Sequence, residues 1–200
     1  FSVINFVELS LRAQTGKIIT RPSGSYKHFL GYDHLMFSPR QMMSFSLPAD
    51  APIDMTVTLG ITAARPLAIQ IPLMIGGMAY GVGFSEEAKL ALAKAFNFLQ
   101  TATCSGEGPF LPEEPEESGK FVFQICCWSW GERTDEQIAS ADMLEIKMGQ
   151  GSDMGTAMIE AVDIEGRARM LGGLAPKEPA VSLPAPPGVE SPDDWFSFMQ

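Results

Sequence analysis

The sequence predicts an α/β chain with parallel strands, on three observations. Short apolar segments with hydrophobic side chains on both faces recur through the middle of the chain, as expected of strands covered on both sides of a sheet. Capped stretches with apolar residues at helical spacing lie among them. The segments follow the order strand, helix, strand, strand, helix, strand, which suits parallel pairing through crossover helices.

Taken in order, residues 1–14 place Phe1, Ile4, Val7 and Leu11, with Phe6 and Leu9, at helical intervals and stop near Gly16, predicting a short amphipathic helix. From Thr20 to Asp54, prolines, glycines and scattered aromatics (Tyr26, Phe29, Tyr32, Phe37, Phe45) keep no period. This stretch is expected to be an arm that wraps a neighbouring surface. Thr56–Leu59 and Leu67–Ile71, the latter continued past Pro72 by Leu73–Ile75, read as strands, the second buried from both sides as in a parallel sheet. Ser85 caps a helix that opens on Glu86 and Glu87 and runs through Ala88, Leu90, Ala91, Leu92, Ala93, Ala95 and Phe96 to Leu99. Thr101–Cys104 is a short strand, Ser105–Gly119 a loop rich in Gly, Pro and Glu, and Phe121–Cys126 a buried strand. Thr134 with Gln137 three residues on has the capping-box pattern of a brief helix to about Ser140, and Met143–Met148 is the next strand. Beyond Gly149 the pattern decays into a glycine- and proline-rich stretch, Gly151–Glu190, extended from Pro176 to Pro192. Ser191-Pro192-Asp193-Asp194 then reads as a helix start with an N-cap serine. A helix opened there, with a first residue other than Met, is what a piece of a longer polypeptide would show.

Composition narrows the classes. Of 200 residues 46% are apolar and only 19% charged, which supplies a core and excludes disorder along the whole chain. Fourteen basic against twenty-four acidic side chains give a net charge of −10, arguing against a nucleic-acid or anionic-membrane partner. The three cysteines, Cys104, Cys126 and Cys127, suit neither a disulfide framework nor a zinc or iron–sulfur site. They are expected to be buried thiols, and with no signal-like or membrane-spanning run the expected compartment is the cytoplasm.

In parallel α/β folds, ligands bind at the carboxyl ends of strands. Four such ends carry unusual residues. Gly76-Gly77-Met78-Ala79-Tyr80-Gly81-Val82-Gly83 lets backbone approach a flat or anionic ligand. Ser105-Gly106-Glu107-Gly108 sets one carboxylate between glycines, Gln124 lies within the third strand, and Lys147 ends a strand before Gly149-Gln150-Gly151. Singly, each has an ordinary explanation in a turn glycine, a solvated charge or a buried amide satisfying its neighbour. Falling together at one end of successive strands, they point to a ligand site.

Pro72–Gly81, the helical run Ala88–Ala95, Ser105–Gly108 and above all Ala141–Gly151 resemble the FMN-binding domain of glutamate synthase, and the arm resembles its stand-alone, archaeal-type members. The resemblance implies a (β/α)₈ TIM barrel, with 1–60 as the N-terminal helix and wrapping arm and 61–200 as the first half of the barrel, truncated at 200. It implies FMN at the barrel's carboxyl face and reduction of the imine formed from ammonia and 2-oxoglutarate to give glutamate. Gly76, Gly77 and Met78 would then pack on the flavin, Gln124 would bond its edge, and Lys147 would stand near its pyrimidine end. Glu107 would face the substrate with catalytic Lys147, and Ser105, Gln150 and Gly151 would bind substrate. An iron–sulfur cluster would need residues beyond 200; glutaminase and electron-donor subunits are the partners implied. Two departures fall on the substrate side: Asp153 stands where the family has a lysine that binds the keto acid, and the family's arginine after the third strand is either replaced by Ser129 or absent. They leave two other readings open, a catalytically inactive binding subunit and an FMN-barrel oxidoreductase with a different small substrate.

Overall fold

The computed structural model describes residues 3–17, 29–38, 43–130, 133–149, 157–164 and 166–198. Its elements are α1 (Val3–Thr15), β1 (Val57–Leu59), β2 (Leu67–Ile69), α2 (Glu86–Phe98), β3 (Thr103–Cys104), α3 (Glu113–Ser118), β4 (Phe121–Cys126), α4 (Asp135–Ala139), β5 (Met143–Lys147), β6 (Met158–Ile159), α5 (Gly166–Leu171), β7 (Ala180–Val181) and α6 (Asp194–Phe198). This is a mixed α/β arrangement around a three-stranded parallel sheet, β3-β4-β5.

The parallel core follows the expected pattern. β4 is buried at all six positions, and its register sets Val122 against Met143, Gln124 against Glu145 and Cys126 against Lys147. Its two faces serve different layers, because side chains alternate along a strand. Phe121 and Phe123 pack with Phe110, Ala141 and Ile138 on one face. On the other, Val122 joins Leu67, Ile69, Ala102 and Cys104, while Cys126 joins Trp128, Trp130, Ile164, Leu174 and Ala180. Gln124 lies between these two clusters.

The helices start where the caps predict. Ser85 Oγ accepts from the Ala88 amide at the head of α2, and Thr134 and Gln137 complete both halves of the capping box on α4. α2 ends without glycine: Gln100 takes the left-handed conformation (φ 53°) and returns its side-chain amide to the Asn97 carbonyl.

Four expectations need correction. The stretch Ser105–Gly119 is not all loop, because Glu113, Glu114 and Glu116 sit in the first turn of α3, where acids meet the positive helix end, and Gly119 closes it at φ 68°. β2 is shorter than Leu67–Ile71 and pairs antiparallel with β1, outside the parallel sheet. Pro72 has no amide to donate, and the chain beyond it is tied to the α2–β3 connection by Ile75 N–H to the Ala102 carbonyl. Beyond residue 157 the glycine- and proline-rich stretch holds the antiparallel pair β6–β7 and the helix α5, and Leu183 N–H donates to the Cys127 carbonyl at the end of β4. α6 begins at Asp194, two residues beyond the expected Pro192, and the Asp194 carboxylate accepts from the amides of Glu190 and Ser191 and from the Ser191 hydroxyl.

The described part of the arm is largely exposed, Phe37 and Phe45 fully so, with one 3₁₀ turn at Tyr32–His34. Among the described residues no helix is long and apolar enough to cross a membrane.

All three cysteines are buried free thiols, as expected. Burial pushes the Cys104 thiol up to about 11 from an ordinary value of 9.0. The folded chain keeps a proton that the unfolded chain releases, so stability held below pH 9 falls as pH rises toward 11. Urea midpoints are expected to fall across that window, and Cys104→Ala to remove a part worth roughly 2 kcal/mol of the decline.

Candidate functional site

The carboxyl ends of β3, β4 and β5 converge on the glycine-rich segment after β2. Two close backbone approaches bring this about. A Cβ on Gly106, itself left-handed at φ 73°, would lie 2.5–2.6 Å from the backbone of Met78, and one on Gly108 would lie 2.5 Å from the Tyr80 carbonyl oxygen. Residues 105–108 therefore lie directly against residues 78–80, with no side chain between. Gly77 completes the crossing: a Cβ there would come within 2.7 Å of Gln124 Nε2 and 3.1 Å of Gly106 Cα. At Gly76 the same direction is open, with nothing within 4 Å. The result is a bare backbone ledge with a glutamine amide at its edge.

The polar residues are held individually. Gln124 donates its backbone N–H to Ser105 Oγ (2.8 Å) and its side-chain amide to the Glu145 carboxylate, its register partner on β5. Ser105 Oγ in turn donates to the Gly106 carbonyl at 3.1 Å. Lys147 Nζ is 2.8 Å from Glu107 Oε2, with both side chains about one-fifth exposed. The same Glu107 oxygen accepts from Trp128 Nε1 at 2.8 Å, and the Glu107 carbonyl accepts from Trp130 Nε1 at 2.7 Å. Two stacked indoles, 5.2 Å between centroids, thus pin the loop that carries the acid.

Of the residues singled out from sequence, Gly77, Met78, Ser105, Glu107, Gln124 and Lys147 come together, with Gly76 beside them. Gln150 and Gly151 lie outside the described residues, as does Asp153. Glu107 does not extend into a solvated acidic loop, and Lys147 is not a solvated strand end, since each is the other's counter-ion.

Sequence reasoning missed four participants. Trp128 and Trp130 could have been suspected from their alternate spacing just past a buried strand, where one face turns inward. Arg133, four residues beyond Ser129, reaches back: its guanidinium lies 4.9 Å from the Phe123 ring centroid and donates to Cys126 Sγ (3.1 Å) and the Gly108 carbonyl (3.4 Å). Lys89 is the least expected. It lies on the buried face of α2, and its Nζ sits 2.6 Å from Glu114 Oε1 and 3.0 Å from each of the Cys104 and Ser105 carbonyl oxygens. Burial pushes the Glu114 carboxyl up, and the Lys89 ammonium opposes that shift. Among the described residues, no group of three or more His, Cys, Asp or Glu side chains could hold a metal ion.

The chain is thus a mixed α/β protein in which a glycine-lined backbone ledge and a pair of opposite charges meet at the carboxyl ends of parallel strands. Over residues 24–191 the chain matches the family model described as the conserved region in glutamate synthase, and it belongs to that family. It is 29% identical over 157 residues to a glutamate synthase large subunit-like protein of Rhizobium meliloti (strain 1021), covering 78% of this chain and 35% of that protein. It is 24% identical over 172 residues to the archaeal-type glutamate synthase [NADPH] of Thermotoga maritima, with 76% and 34% covered. To the archaeal glutamate synthase [NADPH] of Archaeoglobus fulgidus it is 28% identical over 170 residues, with 74% and 33% covered. The chain spans about a third of the length of these relatives. No solved structure matches.

The crossing at Gly106 yields a direct test. Gly106→Ala forces both a left-handed φ and an overlap with Met78 backbone, and is expected to lower stability by about 1–3 kcal/mol in chemical unfolding. Gly76→Ala, with open space at its Cβ, is expected to change stability by well under half of that on the same measurement.

Proposed function

We propose that this chain forms the flavin-edge part of an FMN-binding (β/α)₈ barrel, in an oxidoreductase of glutamate synthase type that reduces the imine of ammonia and a 2-oxo acid. One observation carries the reading. In a chain of this family, the ledge at Gly76–Met78, the Gln124 amide and the Lys147–Glu107 pair meet at the same end of one sheet.

The residues suit the cofactor. A planar ring needs a surface free of Cβ atoms, which Gly76 provides with open space where its Cβ would lie, and a hydrogen-bonding group at its edge, which Gln124 provides. Bound there, FMN would supply two-electron hydride chemistry. The chain's own contribution is positioning and charge. Gln124 is oriented from both ends, by Ser105 through its backbone and by Glu145 through its side chain, so its amide is set before any ligand arrives. Lys147 brings a cation to where negative charge develops on reduction, and Glu107 keeps that cation oriented and its charge balanced in the oxidised state. Trp128 donates to the Glu107 carboxylate and Trp130 to the Glu107 carbonyl, and together they fix the loop that carries the acid. The buried Trp pair packs in turn against Ile164, Leu174 and Ala180.

The substrate side is where this reading is most specific to the chain. The family's arginine after the third strand is replaced by Ser129 or absent, and the Ser129 hydroxyl accepts from the Val181 amide as part of the packing of β7. The 2-oxo acid accepted need not be the dicarboxylate, and ammonia and the 2-oxo acid are the substrate classes the reading names. Glutaminase and electron-donating subunits, and a cytoplasmic setting, complete the proposal.

The full-length protein purified in the dark is expected to show bound-flavin absorbance, and a colourless protein that also fails to take up added FMN overturns the reading. Lys147→Ala is expected to retain FMN while its reduction slows by about 10²-fold, the scale of losing one preorganised electrostatic group. Loss of FMN with unchanged reduction rate would remove Lys147 from that role.

A further inference from the structure

We infer that Lys89 is the positioning residue for Glu107: its ammonium gathers the Cys104 carbonyl and the Ser105 carbonyl that the sheet gives up, and so turns the chain that carries the acid into the site. The consequence for catalysis rests on the function proposed above, whereas the geometric claim does not.

A rung is missing from the β3–β4 ladder. Thr103 N–H donates to the Lys120 carbonyl and Ser105 N–H to the Val122 carbonyl, the evenly spaced pattern of parallel strands. The next rung in that pattern would run from Gln124 N–H to the Ser105 carbonyl. It is absent, because Gln124 N–H donates to the Ser105 hydroxyl at 2.8 Å. The Ser105 carbonyl is thereby released, and with that of Cys104 it accepts from Lys89 Nζ at 3.0 Å. Successive carbonyls of an extended strand point to opposite sides, so two of them on one nitrogen mark the place where the strand has ended. Buried carbonyls require donors, and a lysine 2% exposed supplies them.

Its third acceptor, Glu114 Oε1 at 2.6 Å, saturates the ammonium and balances its charge. Lys89 therefore contributes direction here, with its charge cancelled locally. One residue after the clamp, Gly106 crosses Met78 in the left-handed conformation, and the residue after that is Glu107, delivered to Lys147 and Trp128.

The Trp128 indole N–H resonance, assigned by its loss in Trp128→Phe, reports the Glu107 contact in the ¹⁵N-labelled full chain. The reference for a lost contact is Glu107→Gln. The double variant Lys89→Met with Glu114→Leu removes both charges together, a replacement buried pairs often tolerate. It is expected to fold and to move the resonance to the Glu107→Gln position. Ser105→Ala restores a carbonyl acceptor to Gln124 N–H in competition with Lys89, and is expected to move it the same way. Glu114→Gln keeps the carbonyl clamp and is expected to leave the resonance in place while lowering the melting temperature. An unchanged Trp128 signal in the folded double variant overturns the inference; if that variant does not fold, an unchanged signal in Ser105→Ala does so. An equal shift in Glu114→Gln also overturns it, by showing that any loss of packing moves the loop. In FMN-loaded protein the double variant is expected to keep its flavin and to turn over at the rate of Glu107→Gln. Failure of the parent to take up FMN removes the proposed function, and the indole comparison still decides the role of Lys89.

Discussion

Two stretches of backbone, Gly106–Gly108 and Met78–Tyr80, touch without a side chain between them, and the candidate site depends on that contact. Close packing normally spaces chain segments by the thickness of their side chains, so a backbone crossing is available only where glycine removes the Cβ. Gly106 also needs its left-handed φ to make the turn. Once the crossing is made, the rest follows in space. Gly77 falls against the Gln124 amide, Ser105 against the Gln124 backbone, and Glu107 opposite Lys147 two strands away. A side chain at the crossing would lift the ledge off the sheet and separate all three strand ends at once.

Charge is handled locally in this acidic chain. The second hundred residues hold eighteen acids and six bases, yet the cations near the site are each committed to a defined acceptor. Lys147 meets Glu107, Lys89 meets Glu114 and two carbonyls, and Arg133 lies over Phe123 with bonds to a carbonyl and a thiol. Partial burial strengthens such pairs relative to exposed ones, but it demands that each charge be matched, and the indole donors on Glu107 meet part of that demand. Among the described residues the strand ends therefore carry oriented dipoles and compensated charges in place of a basic field.

Much of the architecture was legible in the residues. β4 could be read to its exact ends because six consecutive apolar or amide residues are bounded by Lys120 and the Cys127–Trp128 turn, and α2 and α4 because Ser85 and Thr134 carry their own caps. α3 was hidden by Pro112 and Pro115, which suggest a turn, although prolines are tolerated in a first helical turn and the acids favour one. β2 was assigned to the wrong pairing for a different reason: alternation reveals burial but not which strand lies alongside. At the site, the strand-end positions were readable as a class, because topology places them together. The Glu107–Lys147 pair, the tryptophan donors and the Lys89 clamp were not, since each joins residues fifteen to forty apart whose meeting is decided by the path of the chain.

Arg167 in α5 donates one guanidinium nitrogen to Glu86 (2.7 Å) and another to Glu113 (2.5 Å), while Tyr80 bonds the second oxygen of Glu86. Its two acceptors lie at the starts of different helices, and they are neighbours only because α2 and α3 pack side by side. The binding place for Arg167 thus does not exist in the extended chain; it requires the side-by-side packing of α2 and α3. Without that packing, closing a loop of about eighty residues incurs its entropy cost without the matching contacts. The two-pronged cation therefore couples the segment around α5 to the mutual placement of α2 and α3, so that a shift of either helix start is felt at the other through one guanidinium.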